Sequence, residues 1–375
     1  MSFKKKRVLV LLPYFDLGGA EKQGLYIAKS MHASEQYEVE VWSFAHGSSG
    51  LLLKDVKSAG IPHKILNIQV GNFSNKPYRL LAYFRLWWAL VKGKFDAIIP
   101  YTYHCNVMSA TLYRFAGVKN CIWLQIAMEF HMPVTIFERI AKFFKPTYAA
   151  NSIAAAKYIG ERHSIDASKV AFVPNPFETK TAKNDKTWWR NKLQLNEGDI
   201  VMMMAANFFP EKDHETVMRG VLALSKKYPQ LKLIFAGGSL NNVQSYKLRA
   251  LAFDLQMQYL VQFIGPTDDI PGLLQVTDIG ILSSRSEGSP NSLIEYMGYG
   301  VPVIATNIGP IAELLGNDYP YLFEVENLDD FITKADALLG SLSTSKELVE
   351  RNKSIIQQQY TVKTNLEAFQ ILLKD

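Results

Sequence analysis

Cysteine is nearly absent: the chain has two in 375 residues, Cys105 and Cys121. They form neither a CxxC pair nor a cluster with the seven histidines, which argues against a disulfide framework or a zinc site and fits a reducing, cytoplasmic compartment. Long apolar runs are missing too. No stretch reaches the roughly 18 uninterrupted apolar residues of a membrane-spanning helix. Lys4 to Leu12 begins like a signal peptide, but its apolar run stops at Pro13 and Asp16 without a small-residue cleavage site, so it reads as a first buried strand. No Asp-x-Asp pair of the kind that holds a divalent cation occurs, and there is no internal repeat or low-complexity tract.

What is present describes a globular chain: 48% hydrophobic and 20% charged residues, long enough for two domains. The balance of 41 Lys and Arg against 35 Asp and Glu gives +6 and a pI near 9.0. That surplus means either scattered surface lysine or attraction to an anionic lipid or phosphate-bearing substrate. The basic residues match no nucleic-acid module or glycine-aromatic RNA motif, so no nucleic-acid partner is expected.

Short apolar runs alternate with helical patterns throughout. Strands are predicted over 7–12, 38–43, 64–68, 96–100, 121–126, 147–150 and 170–173, then over 200–205, 232–236, 261–264, 279–282, 302–305 and 321–323. Such alternation implies parallel βαβ units, hence an α/β protein with two Rossmann-like, doubly wound domains. Pro174-Asn175-Pro176 and the polar stretch after it mark the boundary. The expected domains are 1–178 and 187–360, with a linker at 179–186. Ligands of such domains bind at the carboxyl ends of the strands, here in a cleft that both domains face.

One stretch organises the second half, Ser283 to Ile304. It reads as strand end, loop, helix, stop and strand. Ser289 is expected as N-cap with Pro290 at the first helical position, and Gly300 closes the helix. Glu287 in the loop and Glu295 in the helix have seven residues between them. At about 100° per residue, Leu293, Ile294 and Met297 share the buried face and Glu295 points nearly opposite. The helix start around Ser289 to Ser292 is suited to a phosphate. A second turn, Asp16-Leu17-Gly18-Gly19-Ala20-Glu21, opens a helix from Ala20 to about Met31; its adjacent glycines allow close backbone approach, so it is either a ligand loop or simply a tight βα turn.

The 283–304 stretch, with its cap, proline, asparagine, second glutamate and terminal glycine, resembles the signature of retaining GT-B glycosyltransferases, family 4 (group 1). Gly18-Gly19-Ala20-Glu21 is similar to that family's glycine loop, Val173-Pro174-Asn175 to its signature before the interdomain crossover, and Trp189 to Leu193 to the helix opening its second domain. Ala206 to His214 resembles the donor-diphosphate loop, with Lys212 in the lysine position and Asn207 where an arginine is common. The resemblance implies a GT-B fold, with a C-terminal helix over 361–375 packing back on the first domain.

It also implies roles. Catalysis would rest on Glu287, beside the transferred sugar, and on Lys212. Donor binding would involve Gly18, Gly19, Asn207, Lys212, Gly288, Ser289, Asn291, Ser292 and Glu295, with Glu295 on the nucleotide ribose. Retention is ascribed to a same-face mechanism in which the leaving diphosphate helps deprotonate the acceptor. No metal and no cofactor is expected beyond the nucleotide-sugar donor. A histidine following the 121–126 strand is common in the family. Here Gln125 to His131 stand there, neither Glu129 nor His131 matches that position, and it stays open. His104, in Tyr101-Thr102-Tyr103-His104, is either an acceptor contact or a structural histidine.

The expected activity is transfer of a sugar from a nucleotide sugar to a glycan or lipid-linked acceptor, in surface polysaccharide or glycolipid synthesis. A sugar-nucleotide epimerase and a non-catalytic nucleotide-sugar-binding module are the alternatives. Arg79 to Lys94 and Phe137 to Lys145 are helical patterns rich in aromatics and cations. They either pack on the sheet or lie on the inner face of an anionic membrane as a peripheral contact.

Overall fold

The computed structural model describes residues 5–16, 18–47, 50–126 and 133–374. The chain forms two compact units, one of residues 1–176 and 361–375, the other of residues 177–360.

In the first unit β1 (Lys6–Tyr14), α1 (Gly19–Ala33), β2 (Tyr37–Ala45), α2 (Leu51–Ser58) and β3 (His63–Ile65) are followed by α3 (Lys76–Gly93), β4 (Ala97–Pro100), α4 (Tyr103–Leu112), β5 (Asn120–Gln125), α5 (Ile136–Phe143), β6 (Thr147–Ala150), α6 (Ile153–His163) and β7 (Ala171–Phe172). All seven strands are parallel, in the order β3-β2-β1-β4-β5-β6-β7. Parallel strands covered on both faces must be apolar on both sides, which is why β1 reads Val-Leu-Val-Leu-Leu rather than alternating with polar residues. Val8, Val10 and Leu12 face the layer of α1 and α2, and Leu9 and Leu11 face the layer of α3 and α4. The strands match the expected ones to within a few residues. Helix α1 begins one residue before the expected Ala20 because extended Gly18 (φ −93°, ψ 169°) is its N-cap.

The second unit runs α7 (Lys186–Lys192), β8 (Ile200–Ala205), α8 (His214–Ser225), β9 (Leu231–Ala236), α9 (Val243–Asp254), β10 (Val261–Gly265), α10 (Ile270–Leu274), β11 (Ile279–Leu282), α11 (Asn291–Tyr299), β12 (Val303–Thr306), α12 (Gly309–Leu315), β13 (Leu322–Phe323), α13 (Leu328–Gly340) and α14 (Lys346–Gln359). Its six strands are again all parallel, ordered β10-β9-β8-β11-β12-β13. The chain then returns to the first unit as α15 (Val362–Leu372), which buries Phe369 in the α1 and α2 layer.

The polar stretch read as a linker is strapped to the second unit. Asp269 accepts from the amides of Lys183 (2.9 Å) and Asn184 (3.0 Å), from the Asn184 side chain (3.1 Å), from Trp189 Nε1 (2.8 Å) and from the Gly272 amide (3.2 Å). Burial alone would raise the Asp269 pKa, but these hydrogen bonds hold it below the usual carboxylate value. The ends of this unit are also tied together, Phe177 N–H donating to the Tyr360 carbonyl at 2.6 Å.

Candidate functional site

Each sheet changes winding direction once, between β1 and β4 in the first unit and between β8 and β11 in the second. In open parallel sheets this switch point leaves a crevice beyond the strand ends, because the neighbouring connections leave to opposite faces. In the second unit the loops there are 206–213 and 283–290, which hold Asn207, Lys212, Glu287, Gly288 and Ser289 of the sequence-picked residues.

These two loops are fastened to each other. The Ser283 hydroxyl donates to the carbonyls of Lys212 (2.7 Å) and Asp213 (3.1 Å), and the Arg285 amide donates to the Glu211 carbonyl (2.8 Å). Lys212 closes a single 3₁₀ turn, Pro210–Lys212. Its Nζ donates to Glu287 Oε1 at 2.5 Å, and the Ser284 hydroxyl donates to the same oxygen at 2.6 Å. The two side chains are only 23% and 12% exposed, so water screens this contact less than a surface ion pair. The two residues assigned to catalysis from sequence, 75 positions apart, therefore meet.

Glu295 lies on α11, whose other side is buried through Leu293, Ile294, Tyr296 and Met297. Tyr296 fixes the helix to the end of β8, its hydroxyl accepting from the Ala205 amide (2.7 Å) and donating to the Met203 carbonyl (3.1 Å). A side chain at Gly280 would meet the Tyr296 ring at 2.6 Å, so the strand beneath needs glycine there. The expected helix start is corrected by one residue. Pro290, not Ser289, is the N-cap, because its ψ of 101° is extended, and the helix begins at Asn291. Gly300 ends it in the left-handed conformation (φ 76°), as expected. The first-turn amides still point out of the helix toward loop 283–290. Gly288 is buried and Ser289, Asn291 and Ser292 are half-buried, whereas Asn207 is exposed.

Sequence reasoning missed three features here. Gly237 and Gly238 after β9, with φ 99° and 68°, approach loop 206–213 so closely that side chains would lie 3.0 Å from the Ala206 carbonyl and 2.8 Å from the Phe208 amide. Asp213 takes a left-handed conformation (φ 49°) and its buried Oδ2 has no hydrogen-bond partner. Arg285 joins Glu326 at 2.7 Å and stands 3.7 Å from Asp213. Adjacent glycines were the one available signal.

In the first unit Gly18 and Gly19 follow β1, and His104 lies in the first turn of α4 after β4, so all three border that sheet's switch point. A side chain at Gly18 would strike the Glu21 carboxylate (2.0 Å). Burial raises the Glu21 pKa, and Asp16 adds to the effect. His104 packs edge-on to Phe73 (5.5 Å) and Tyr103 (5.3 Å), and burial lowers its pKa. Beside it Thr102, a β-branched residue, has φ 75°, a conformation costing about 1–3 kcal/mol. Glu129 and His131 lie outside the described residues. Among the described residues no three His, Cys, Asp or Glu side chains are grouped as a metal site would require.

Residues 185–355 match the model of the glycosyl transferases group 1. An uncharacterized glycosyltransferase of Haemophilus influenzae is 23% identical over 95% of this chain and 96% of its own length. The N,N'-diacetylbacillosaminyl-diphospho-undecaprenol alpha-1,3-N-acetylgalactosaminyltransferase of Campylobacter jejuni is 24% identical over 83% of this chain and 76% of its own. Among solved structures, HepE of Anabaena in complex with UDP-glucose superposes with a TM-score of 0.81 at 20% identity, covering 98% of this chain and 99% of that one. At that identity the likeness concerns the fold, a two-domain α/β fold of the GT-B type.

Proposed function

We propose that this glycosyltransferase, whose residues 185–355 match the model of the glycosyl transferases group 1, is a retaining, metal-independent one of family 4. It moves a sugar from a nucleoside-diphosphate sugar to a hydroxyl of a glycan or lipid-linked acceptor in surface polysaccharide or glycolipid synthesis. The observation that carries this reading is the Lys212–Glu287 contact, which joins the lysine of one switch-point loop to the glutamate of the other. HepE, with its UDP-glucose, supports a nucleotide-sugar donor, and the undecaprenol-linked substrate in the Campylobacter enzyme's name supports a lipid-linked acceptor.

The chemistry follows from charge. The bond from the sugar's anomeric carbon to the diphosphate oxygen breaks, and one from that carbon to the acceptor oxygen forms on the same face. The acceptor proton passes to the departing diphosphate. The negative charge gathering on that diphosphate is met by the Lys212 ammonium and the first-turn amides of α11, fixed dipoles that need not reorganise during the reaction. Glu287 attends the sugar and Glu295 the ribose hydroxyls. Before the donor arrives, Glu287 is the counter-ion of Lys212. The diphosphate takes the ammonium over and leaves the carboxylate beside the sugar.

Paired variants test this. Glu287→Gln is expected to abolish transfer while binding nucleoside diphosphate about fivefold more tightly, because Lys212 loses its competing carboxylate. Glu295→Ala is expected to weaken nucleotide binding with the fold intact. Calorimetric titration and a transfer assay read both, with and without a chelator. Wild-type transfer by Glu287→Gln would defeat the assignment, and loss of activity on chelation would defeat metal independence.

A further inference from the structure

The first unit carries a charge asymmetry that the candidate site does not use. Between Val56 and Gly160 stand thirteen lysines and arginines and three acidic residues, a surplus of ten where the whole chain's surplus is six. One of those acids, Glu138, is buried and fully paired. Much of the positive charge gathers where the strands begin. α3, α4 and α5 all run against the strands, so their last turns and the connections behind them lie on the rim opposite Gly18 and His104.

On that rim the segment Leu112–Phe115 separates two hollows of opposite character. One, of about 390 Å³, is apolar and lined by Tyr83, Phe84, Trp87, Leu112 and Phe115. The other, of about 280 Å³, is formed at the starts of β1, β4, β5 and β6. Lys6, Arg114, Lys119, Lys145 and Lys374 line it, with Asp96 its one acid among the described residues. Around the first hollow Phe84, Trp88, Phe115 and Phe143 are 56%, 47%, 63% and 77% exposed. Exposed Leu80 and Leu81 extend the same stripe along α3, at positions one and two turns before Phe84 and Trp88.

These groups are held in place rather than loose. Tyr83 stacks on Phe137 at 4.3 Å, and Trp87 Nε1 donates to the Phe115 carbonyl (3.1 Å). Arg114 Nε donates to the Phe144 carbonyl (3.0 Å), and Phe115 meets the Phe144 ring at 5.1 Å. Lys92 lies over the Trp88 ring at 4.9 Å, a cation kept at the apolar edge.

We infer that this rim and the adjoining face of α3 and α5 dock on an anionic bilayer. A lipid phosphate enters the cationic hollow, and the exposed aromatic groups sit at the boundary between head groups and acyl chains. An aromatic stripe bordered by lysines is the composition that the interfacial zone selects. A nucleic acid would meet the cations but leave Leu80, Phe84 and Phe143 in water, so the apolar and cationic hollows together favour a lipid surface. The inference does not depend on the roles given to Lys212, Glu287 or Glu295, which are in the other unit.

Flotation of the full chain with vesicles of phosphatidylcholine, alone or mixed with phosphatidylglycerol, tests it. The protein is expected to float with the anionic vesicles, to be released as salt rises, and to ignore phosphatidylcholine. Lys119→Gln with Lys145→Gln is expected to weaken partitioning about 20-fold, and Phe115→Ser with Phe143→Ser about tenfold, both at unchanged thermal midpoint. Equal partitioning onto both vesicle types, none onto either, or wild-type partitioning of both double variants would overturn it. Release by inorganic phosphate, with ionic strength matched by chloride, would overturn it too, marking a site for a free anion.

Discussion

His214 opens α8 two residues after Lys212, and it is buried between the rings of Phe208 and Phe235, at 5.2 and 5.0 Å. Neither ring nitrogen has a hydrogen-bond partner. Burial lowers its pKa to about 3, and the Lys212 ammonium acts in the same direction. The folded protein therefore excludes a proton that the unfolded chain accepts below its ordinary value of 6.5. Stability from this group is whole above pH 6.5 and falls as the pH drops from there toward 3, by up to ~1.4 kcal/mol per pH unit. His214→Phe, which matches its aromatic surroundings, is expected to flatten that loss. Urea unfolding at pH 7 and pH 5 reads the difference, and an unchanged slope would show that another group governs it. Nothing in the sequence around Lys212 revealed this burial, since a histidine beside a lysine reads as solvated until the phenylalanines are seen to close over it.

Among the elements, α5 is fixed by one carboxylate. Glu138, wholly buried, accepts from Arg162 Nε (2.6 Å) and Nη2 (2.9 Å), from His163 Nε2 (2.9 Å) and from the Tyr103 hydroxyl (2.8 Å), so α4, α5 and α6 converge on it. Burial alone would raise its pKa, but these partners bring it down to about 2. Its contribution is present above the unfolded value of 4.5 and is lost as the pH falls through about 2. Glu138→Gln leaves the Arg162 guanidinium without its charge partner in a largely buried position and is expected to cost roughly 3–5 kcal/mol, measured by denaturant unfolding at neutral pH. A cost below about 1 kcal/mol would show the network to be dispensable. The strands were legible because a strand buried on both faces has to be a continuous apolar run, as in Val8–Leu12 and Val201–Met204. The start of α11 was misread by one residue because Ser289 and Pro290 both carry N-terminal preferences and backbone geometry alone separates them. Pairings such as Lys212–Glu287 or Glu138–Arg162 have no local signature, since they depend on which loops the sheet order brings together.

For the whole molecule, the decisive fact is that the first unit is discontinuous, its last helix arriving after 184 residues of the second unit. α15 and its C-cap place Phe369 and Leu373 in the core beside α1 and α2, and Asn365 donates to the Pro174 carbonyl at 2.7 Å. Deletion of 361–375 is expected to uncover that layer and lower the stability of the first unit while the second keeps its own. Hydrogen exchange checks this, with α1 and β7 losing protection and β8 and β9 retaining it. Equal loss in both units would show that they unfold as one.

The same arrangement sets an order of events during translation. Phe177 to Tyr360 is contiguous and can complete its core as soon as it leaves the ribosome, whereas the amino-terminal unit, synthesised first, must wait for α15. Until then its apolar α1 and α2 layer stays partly open, so a nascent chain arrested before Thr361 would present a chaperone with the older half of the protein, not the newer.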